Sequence, residues 1–147
     1  MAEAMIAEAQ RVEIKPRLGD ALYLKVMEDN PEERFEALLN GGIWQDNSGA
    51  RLLTGIKTAL AYYALARIIR DGNIQTTTYG AAVKDDQYSS DPEKTERQRQ
   101  YRELFSQADN YMAEAVIYLQ TNCERFPEYK TQGKMRSNRM TIKIIGK

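Results

Sequence analysis

The 147-residue sequence contains no histidine and a single cysteine, Cys123. Histidine is the commonest general base and the commonest metal ligand, so its absence argues against acid–base catalysis and against a zinc site. One cysteine cannot form an intrachain disulfide, and its helical spacing from Leu119 and Phe126 predicts a buried apolar side chain rather than a reactive thiol. We therefore assign no catalytic residue, no cofactor and no metal ligand, and we expect a protein that is not an enzyme.

Nucleotide-binding and membrane-spanning motifs are also missing. Gly133-Lys134 lacks the upstream glycine and the following Ser or Thr of a phosphate-binding loop, and no Gly-x-Gly-x-x-Gly pattern occurs. No apolar run approaches the roughly 20 residues that cross a bilayer, and the N-terminus lacks the basic and apolar regions of a signal peptide. We expect a soluble, non-secreted protein with no membrane partner.

Charge is unevenly distributed, although the net charge of the whole chain is zero. Residues 1–129 contain 15 basic and 21 acidic residues, a net charge of −6, whereas residues 130–147 contain six basic and no acidic residues. A tail with a charge of +6 suits either a nucleic-acid arm or a strap that lies on an acidic protein surface. We divide the chain into a helical domain, residues 1–129, and a basic extended tail, residues 130–147.

Apolar residues at three-to-four spacing predict an all-α helical bundle with a long C-terminal helix. Pro16 is expected to end the first helix, with Lys15 extended, and Asn30-Pro31 is expected to start the third. Asp46-Asn47-Ser48-Gly49 predicts a small hairpin or a tight loop. The predicted helices are residues 2–14, a short helix through 22–27, a third from 31 to about 40, then 52–70 and 91–125.

The helix predicted at 52–70 contains eight consecutive uncharged residues, 59–66, so apolar side chains surround its axis. Such a helix is normally enclosed by other elements, and we expect it to be the hub of the core. Arg67 and Arg70 are expected to meet carbonyl groups at a helix C-terminus. The last helix would be about 50 Å long at 1.5 Å per residue, and its first turns, 93–100, contain no apolar residue.

Residues 76–90, TTTYGAAVKDDQYSS, form a polar segment between the two strongest helices and are too long for a simple connector. We interpret this extended inter-helix loop as an ordered surface that contacts another subunit or partner. The residues assigned to this loop interface are Thr76, Thr77, Thr78, Tyr79, Gly80, Val83, Lys84 and Tyr88.

The basic tail ends in a β-prone patch, residues 140–145, which needs another strand to pair with. We interpret the tail as a second partner interface, with β-augmentation between chains as one way to satisfy the patch. The residues assigned to this tail interface are Lys134, Arg136, Arg139, Thr141, Ile142, Lys143, Ile144 and Ile145.

Several groups of residues follow one another in a recognisable order. They are Ile6…Ala9-Gln10…Ile14-Lys15-Pro16-x-Leu18-Gly19-x-x-Leu22-Tyr23, then Leu38-Leu39-Asn40-Gly41-Gly42, then Gly55-Ile56-Lys57 with Ala61-Tyr62-Tyr63-Ala64-x-Ala66-Arg67, and finally Thr77-x-Tyr79-Gly80 with Val83-Lys84. In order and spacing, over roughly residues 5–90, the chain resembles the small helical head-to-tail adaptor proteins of tailed bacteriophages, in the group from crAss-like phages and their relatives. The tail from residue 130 onward matches no family pattern.

The resemblance implies a structural virion protein. Adaptors of this kind are helical bundles that form a ring, typically of about twelve copies, beneath the portal and above a stopper or other tail component. The implied partners are copies of the same chain, the portal protein and the next tail component, with genomic DNA passing non-specifically through the lumen. The implied location is the head–tail junction of the virion, after assembly in the host cytoplasm.

Two other hypotheses compete with the adaptor ring. A small helical nucleic-acid-binding protein could use the basic tail to bind phosphates, with a steep salt dependence, although the tail lacks aromatic residues for base stacking. A small enzyme or cofactor protein would need a pocket lined by convergent ionisable groups.

Overall fold

The computed structural model describes the backbone of residues 2–71, 74–77, 80–83 and 90–129, and the side chains within 2–71 and 93–129. The helices are α1 (Ala2–Ala9), α2 (Lys15–Leu18), α3 (Asp20–Val26), α4 (Glu36–Asn40), α5 (Ile56–Asp71) and α6 (Ser90–Thr121). The strands are β1 (Gly42–Asp46), β2 (Gly49–Leu53), β3 (Ile74–Thr77) and β4 (Gly80–Val83). A π-helical turn, Gln10–Ile14, joins α1 to α2, and a 3₁₀ turn, Glu33–Phe35, precedes α4.

The predicted all-α class is wrong, because the described chain contains two antiparallel hairpins. β1 pairs with β2 from Gly42↔Leu53 to Asp46↔Gly49, which confirms the small hairpin predicted from the Asp46–Gly49 turn. β3 pairs with β4 from Ile74↔Val83 to Thr77↔Gly80, within the segment predicted as an extended loop. Backbone N–H and C=O groups need hydrogen-bond partners. Two short β-prone stretches that are close in sequence can supply these partners to each other by forming a hairpin.

Pro16 was predicted to end the first helix, but the helix continues through it to Leu18. The π-turn widens the helix just before the proline, and Pro16 then lies in the first turn of α2, where its missing N–H costs nothing. Lys15 is accordingly helical, with φ −54° and ψ −48°. The helix stops at Gly19, which has φ +83° and donates its N–H to the carbonyl oxygen of Lys15 at 2.8 Å.

Two helices begin later in the chain than predicted. The third helix begins with the 3₁₀ turn at Glu33 rather than at Pro31. α5 begins at Ile56 rather than at Leu52, because Leu52 and Leu53 belong to β2. In both places the sequence pattern favours a helix over the first residues as well. Leu52 and Leu53 instead pair with β1, and Pro31 and Glu32 precede the 3₁₀ turn.

α5 is the hub of the core, as the sequence predicts, since it packs against α1, α4 and α6. Its exposed strip is narrow and includes Lys57, Ala61 and Leu65. α6 buries a stripe at helical spacing against it, and pairs of rings close the contact: Tyr62 with Tyr111, and Tyr63 with Phe105, at centroid distances of 5.2 and 5.1 Å. The buried residues of these two helices are Ile56, Ala59, Tyr63, Ala64, Ala66, Arg67, Ala108, Met112, Ala115, Tyr118 and Leu119.

Two glycines allow the end of α4 to cross the start of α5 at backbone contact. Gly41 has φ +86° and Gly55 has φ +102°, which side-chain-bearing residues rarely adopt. A Cβ on Gly55 would lie 2.7 Å from the amide nitrogen of Gly41 and 2.7 Å from the carbonyl oxygen of Leu39. The hairpin β1–β2 is thereby anchored at both of its ends by the same crossing.

A charge network holds the first helical layer to α5 and α6. The Arg67 side chain is only 4% exposed, and its Nη2 donates to Oε1 of Glu13 at 3.0 Å. The other oxygen of Glu13 pairs with Arg17, whose Nη2 donates to Oδ1 of Asp109 at 2.7 Å. The Tyr63 hydroxyl donates to the same oxygen of Asp109, and burial together with this bond raises the pKa of Tyr63.

Arg67 therefore meets carboxylates rather than the helix C-terminal carbonyls predicted from sequence. Its Nε and Nη1 are buried without a hydrogen-bond partner in the described structure, and Nε lies 3.8 Å from Oε1 of Glu8. Arg70, the other arginine of this prediction, pairs with Asp71 at 2.8 Å and lies over the Tyr101 ring. The buried guanidinium thus depends mainly on Glu13.

Replacing Gly55 by alanine should destabilise the fold through the backbone clash. We expect Gly55→Ala to lower the free energy of unfolding by about 3 kcal/mol or more, whereas Gly49→Ala should cost about 1 kcal/mol. Gly49 is the matched control, because its φ is also positive, +127°, yet nothing lies within 4 Å of an added Cβ. Urea unfolding followed by circular dichroism measures both, and equal losses would contradict the crossing.

Replacing Glu13 and replacing Arg67 should lower the free energy of unfolding by different amounts. Glu13→Gln leaves the buried Arg67 guanidinium without the Glu13 carboxylate and should lower the free energy of unfolding by roughly 2–4 kcal/mol. Arg67→Met should cost less, because Glu13 keeps Arg17 as a partner. Chemical unfolding of both variants tests this order. If Arg67→Met were the more damaging change, the dependence of Arg67 on Glu13 would be refuted.

Candidate functional site

The most prominent surface feature is a polar projection beyond the end of α5. Thr54, just before α5, donates to Glu114 from its amide and hydroxyl groups, and Arg70, near the end of α5, lies over Tyr101. α5 and α6 are therefore antiparallel, and residues 90–100 of α6 extend past α5 by about 16 Å at 1.5 Å per residue. We call this part of α6, together with the β3–β4 hairpin that precedes it, the arm.

Charged side chains of both signs cover the helical part of the arm. Arg99 bridges Glu96 and Glu103 along one face, and this pairing lowers the pKa of Glu96. At the base of the arm, Lys94 and Arg97 line a shallow concavity of about 160 Å³ together with Arg70, Gln98 and Tyr101. Side chains 93–100 are exposed apart from the half-buried Arg97. The arm suits a polar partner.

The structure brings together some of the predicted loop residues. Thr76 and Thr77 lie in β3, and Gly80 and Val83 lie in β4; Thr77 faces Gly80 across the hairpin, and Val83 faces Ile74. Thr78, Tyr79, Lys84 and Tyr88 lie outside the described residues. A two-stranded hairpin is marginally stable alone in water, so this one gains from a neighbour.

The β1–β2 hairpin presents a second surface, which the sequence analysis did not identify. Its inner face holds Trp44, whose ring meets Tyr118 at 5.2 Å, and the buried Leu53. Its outer face holds the cross-strand partners Ile43 and Leu52, which are 77% and 67% exposed. In both strands, IWQD and ARLL, two apolar residues stand next to each other. Because successive side chains of a strand point to opposite faces, this pattern could have indicated an apolar residue on each face.

A groove between the N-terminal helices and α5 forms a third surface, also missed from sequence. Its volume is about 350 Å³, and acidic residues, Glu28 and Asp29, stand at one side. Its apolar lining comes from the π-helical turn, from α3 and the residues that follow it, from α4 and from α5, and no single sequence motif marks it. The apolar lining residues are Ile14, Tyr23, Val26, Met27, Pro31, Leu39, Ile56 and Leu60.

The end of the described chain is fastened to the 3₁₀ turn. Arg34 donates to Oε1 of Glu128 at 2.7 Å and to the carbonyl oxygen of Arg125 at 2.7 Å, while Phe35 stacks on Phe126 at 5.9 Å. The bond from Arg34 lowers the pKa of Glu128 and raises the pKa of Arg34 itself. We call this contact the C-terminal clamp, and it sets the point at which the tail begins.

The predicted tail residues all lie outside the described residues, as does the rest of 130–147. They are Lys134, Arg136, Arg139, Thr141, Ile142, Lys143, Ile144 and Ile145. Cys123, predicted to be buried, is half-buried. Over the described ranges, no group of three or more histidine, cysteine or acidic side chains is arranged to hold a metal ion, and no helix has the length and apolarity needed to span a bilayer.

These features define a small α+β protein in which helices dominate and two hairpins, an arm and a groove reach the surface. A family model matches residues 14–139, most of the chain, and is described as a family of unknown function, DUF6712. The protein belongs to this family. No curated protein and no solved structure matches it.

The C-terminal clamp should make stability depend on acid pH. The pKa of Glu128 is lowered from 4.5 in the folded state, so its ion pair stabilises the protein above that pH and is lost as pH falls through the folded value. Glu128→Gln should cost about 1 kcal/mol at pH 7 and progressively less below pH 4. Thermal unfolding across this range measures the difference; a penalty independent of pH would contradict the ion pair. Glu124→Gln, at an exposed position four residues earlier, is the control.

Proposed function

We propose that this chain is a structural subunit of a bacteriophage head–tail connector. Copies would form a ring, with about twelve as the expected number, that joins the portal to the stopper or tail and lets DNA pass through its lumen. The proposed location is the virion, after assembly in the host cytoplasm. The identity comes from the resemblance of residues 5–90 to adaptor proteins, and the arm is the structural observation that carries it.

The arm supports a contact between unlike surfaces. It combines a two-stranded hairpin, which would gain stability from a neighbour, with a charged helical segment whose side chains 93–100 are exposed apart from the half-buried Arg97. Within a closed ring each subunit uses one surface to meet a different surface of the next. A projecting polar arm on one end of a helical body suits such a heterologous contact.

Two other properties support assembly. Ile43 and Leu52 place adjacent apolar side chains on the exposed face of a hairpin, where they are a candidate for burial by another chain. The net charges of −6 on residues 1–129 and +6 on residues 130–147 make the body of one subunit attractive to the tail of the next. We propose a role in binding and assembly rather than in catalysis.

Binding of nucleic acid through the tail is the second candidate function. The uncompensated charge of +6 on residues 130–147 favours it. A tail that binds phosphates would give tight duplex-DNA binding that weakens steeply as salt rises. The ring hypothesis expects little binding at physiological salt, since the role of DNA in the lumen is passage rather than capture.

Charge reversal on the arm should block assembly without unfolding the subunit. The chain is co-expressed with the portal protein of the same genome, and ring formation on the portal is counted by negative-stain electron microscopy. Lys94→Glu combined with Arg97→Glu should reduce decorated portals at least about tenfold, a loss of 1.4 kcal/mol or more in association.

Arg102→Glu is the matched control, because Arg102 is exposed on the same helix but lies alongside the body rather than on the arm. Circular dichroism should show the same helicity for all three proteins. If portals never carry a ring of the unaltered chain, while the chain binds duplex DNA with a steep salt dependence, the nucleic-acid function replaces the connector.

A further inference from the structure

We infer that the apolar groove is a docking site for the C-terminal tail of the same chain, with Met140–Ile145 as its occupant. This goes beyond the connector function, because it concerns the free subunit. Three observations carry it: the chemistry of the groove, the charge around it, and the place where the described chain ends.

The groove suits aliphatic side chains. Its volume of about 350 Å³ lies in the range of sites that bury apolar groups, and its lining is mostly aliphatic or aromatic. Met27 remains 44% exposed at its edge. The tail supplies matching side chains at Met140, Ile142, Ile144 and Ile145, within the only part of residues 130–147 rich in aliphatic residues.

Charge around the groove is complementary to the tail. Two exposed acids, Glu28 and Asp29, and one exposed base, Lys57, line it. Further exposed acids follow at Glu32, Glu33 and Glu36, of which Glu32 is paired with Arg34. Lys143 lies inside the β-prone patch, and the rest of the tail adds five basic residues and no acid. An extended segment that inserts isoleucines would place its lysine and arginine side chains near these carboxylates.

The described chain ends against Arg34, which follows the groove-lining Pro31 by three residues. The C-terminal clamp holds Glu128 to Arg34, and the charge of Lys25 on α3 also contributes to the low pKa of Glu128. Val26, the last residue of α3, and Met27, which follows it, line the groove. Met140 follows the buried Tyr129 by 11 residues, which can span up to about 36 Å. A tether this short gives a high effective concentration, which favours the chain's own tail over that of another copy.

Docking of this kind explains how a subunit with an exposed apolar groove would stay apart from other copies before assembly. In the proposed ring the same tail residues contact a neighbour, so a partner would have to displace them from the groove. The tail and groove would then delay ring formation until the portal is present.

A disulfide trap tests the docking directly. In the full chain with Cys123→Ser, Met27→Cys is combined with Ile144→Cys, and mild oxidation at low protein concentration is followed on non-reducing gels and by peptide mass spectrometry. We expect a disulfide within one chain. Leu24→Cys replaces Met27→Cys in the control, because Leu24 is exposed three residues earlier but does not line the groove, and it should crosslink at least about tenfold more slowly. Crosslinked dimers, equal rates in the two proteins or no crosslink would each overturn the inference.

Proteolysis gives a second readout that introduces no cysteine. Trypsin cleavage at Lys134, Arg136, Arg139 and Lys143 reports the fraction of tail that is released. Met27→Glu should accelerate cleavage at Lys143 at least about fivefold over the unaltered chain, and Leu24→Glu should not. If all three proteins are cut at Lys143 at the same rate, the tail does not occupy the groove. Both experiments use the isolated chain, so their outcome is independent of whether a ring forms on the portal.

Discussion

The ion pair between Glu13 and the buried Arg67 is the interaction on which the arrangement of the helices depends. A guanidinium that is 4% exposed requires a carboxylate, and Glu13 reaches it from the π-helical turn between α1 and α2. The same carboxylate pairs with Arg17, which in turn pairs with Asp109 on α6. One connected network thus specifies how the N-terminal layer lies across α5 and α6, in addition to the apolar contacts that supply most of the burial.

Two further contacts fix the elements around this network. The Gly41–Gly55 crossing anchors the β1–β2 hairpin, and the C-terminal clamp anchors the end of the described chain. Of the three candidate contact surfaces, the outer face of the hairpin is held by the crossing, whereas the arm extends from α6 and the groove is lined by residues of several elements.

Local patterns were sufficient for some elements and insufficient for others. The hub helix, the long last helix and the turn at Asp46–Gly49 were predicted correctly, because each depends on residues close together in sequence. The all-α class was wrong, since β3–β4 replaces a loop, and the stop at Pro16 was wrong, since a π-turn accommodates the proline. The groove was missed because its lining combines residues as distant as Ile14 and Leu60. Of the predicted loop interface, Thr76, Thr77, Gly80 and Val83 meet in one hairpin.

The sequence by itself determined the composition of the protein's surfaces and most of its helices: an uncharged central helix, a long helix with a polar start, and a basic tail after an acidic body. These follow from side-chain chemistry and periodicity, which do not need distant contacts. Tertiary structure decided which charges are buried, which glycines must remain glycines, and where an apolar groove opens. Those features arise only when residues far apart in the chain meet, because burial and close backbone approach are properties of packed elements and not of any one segment.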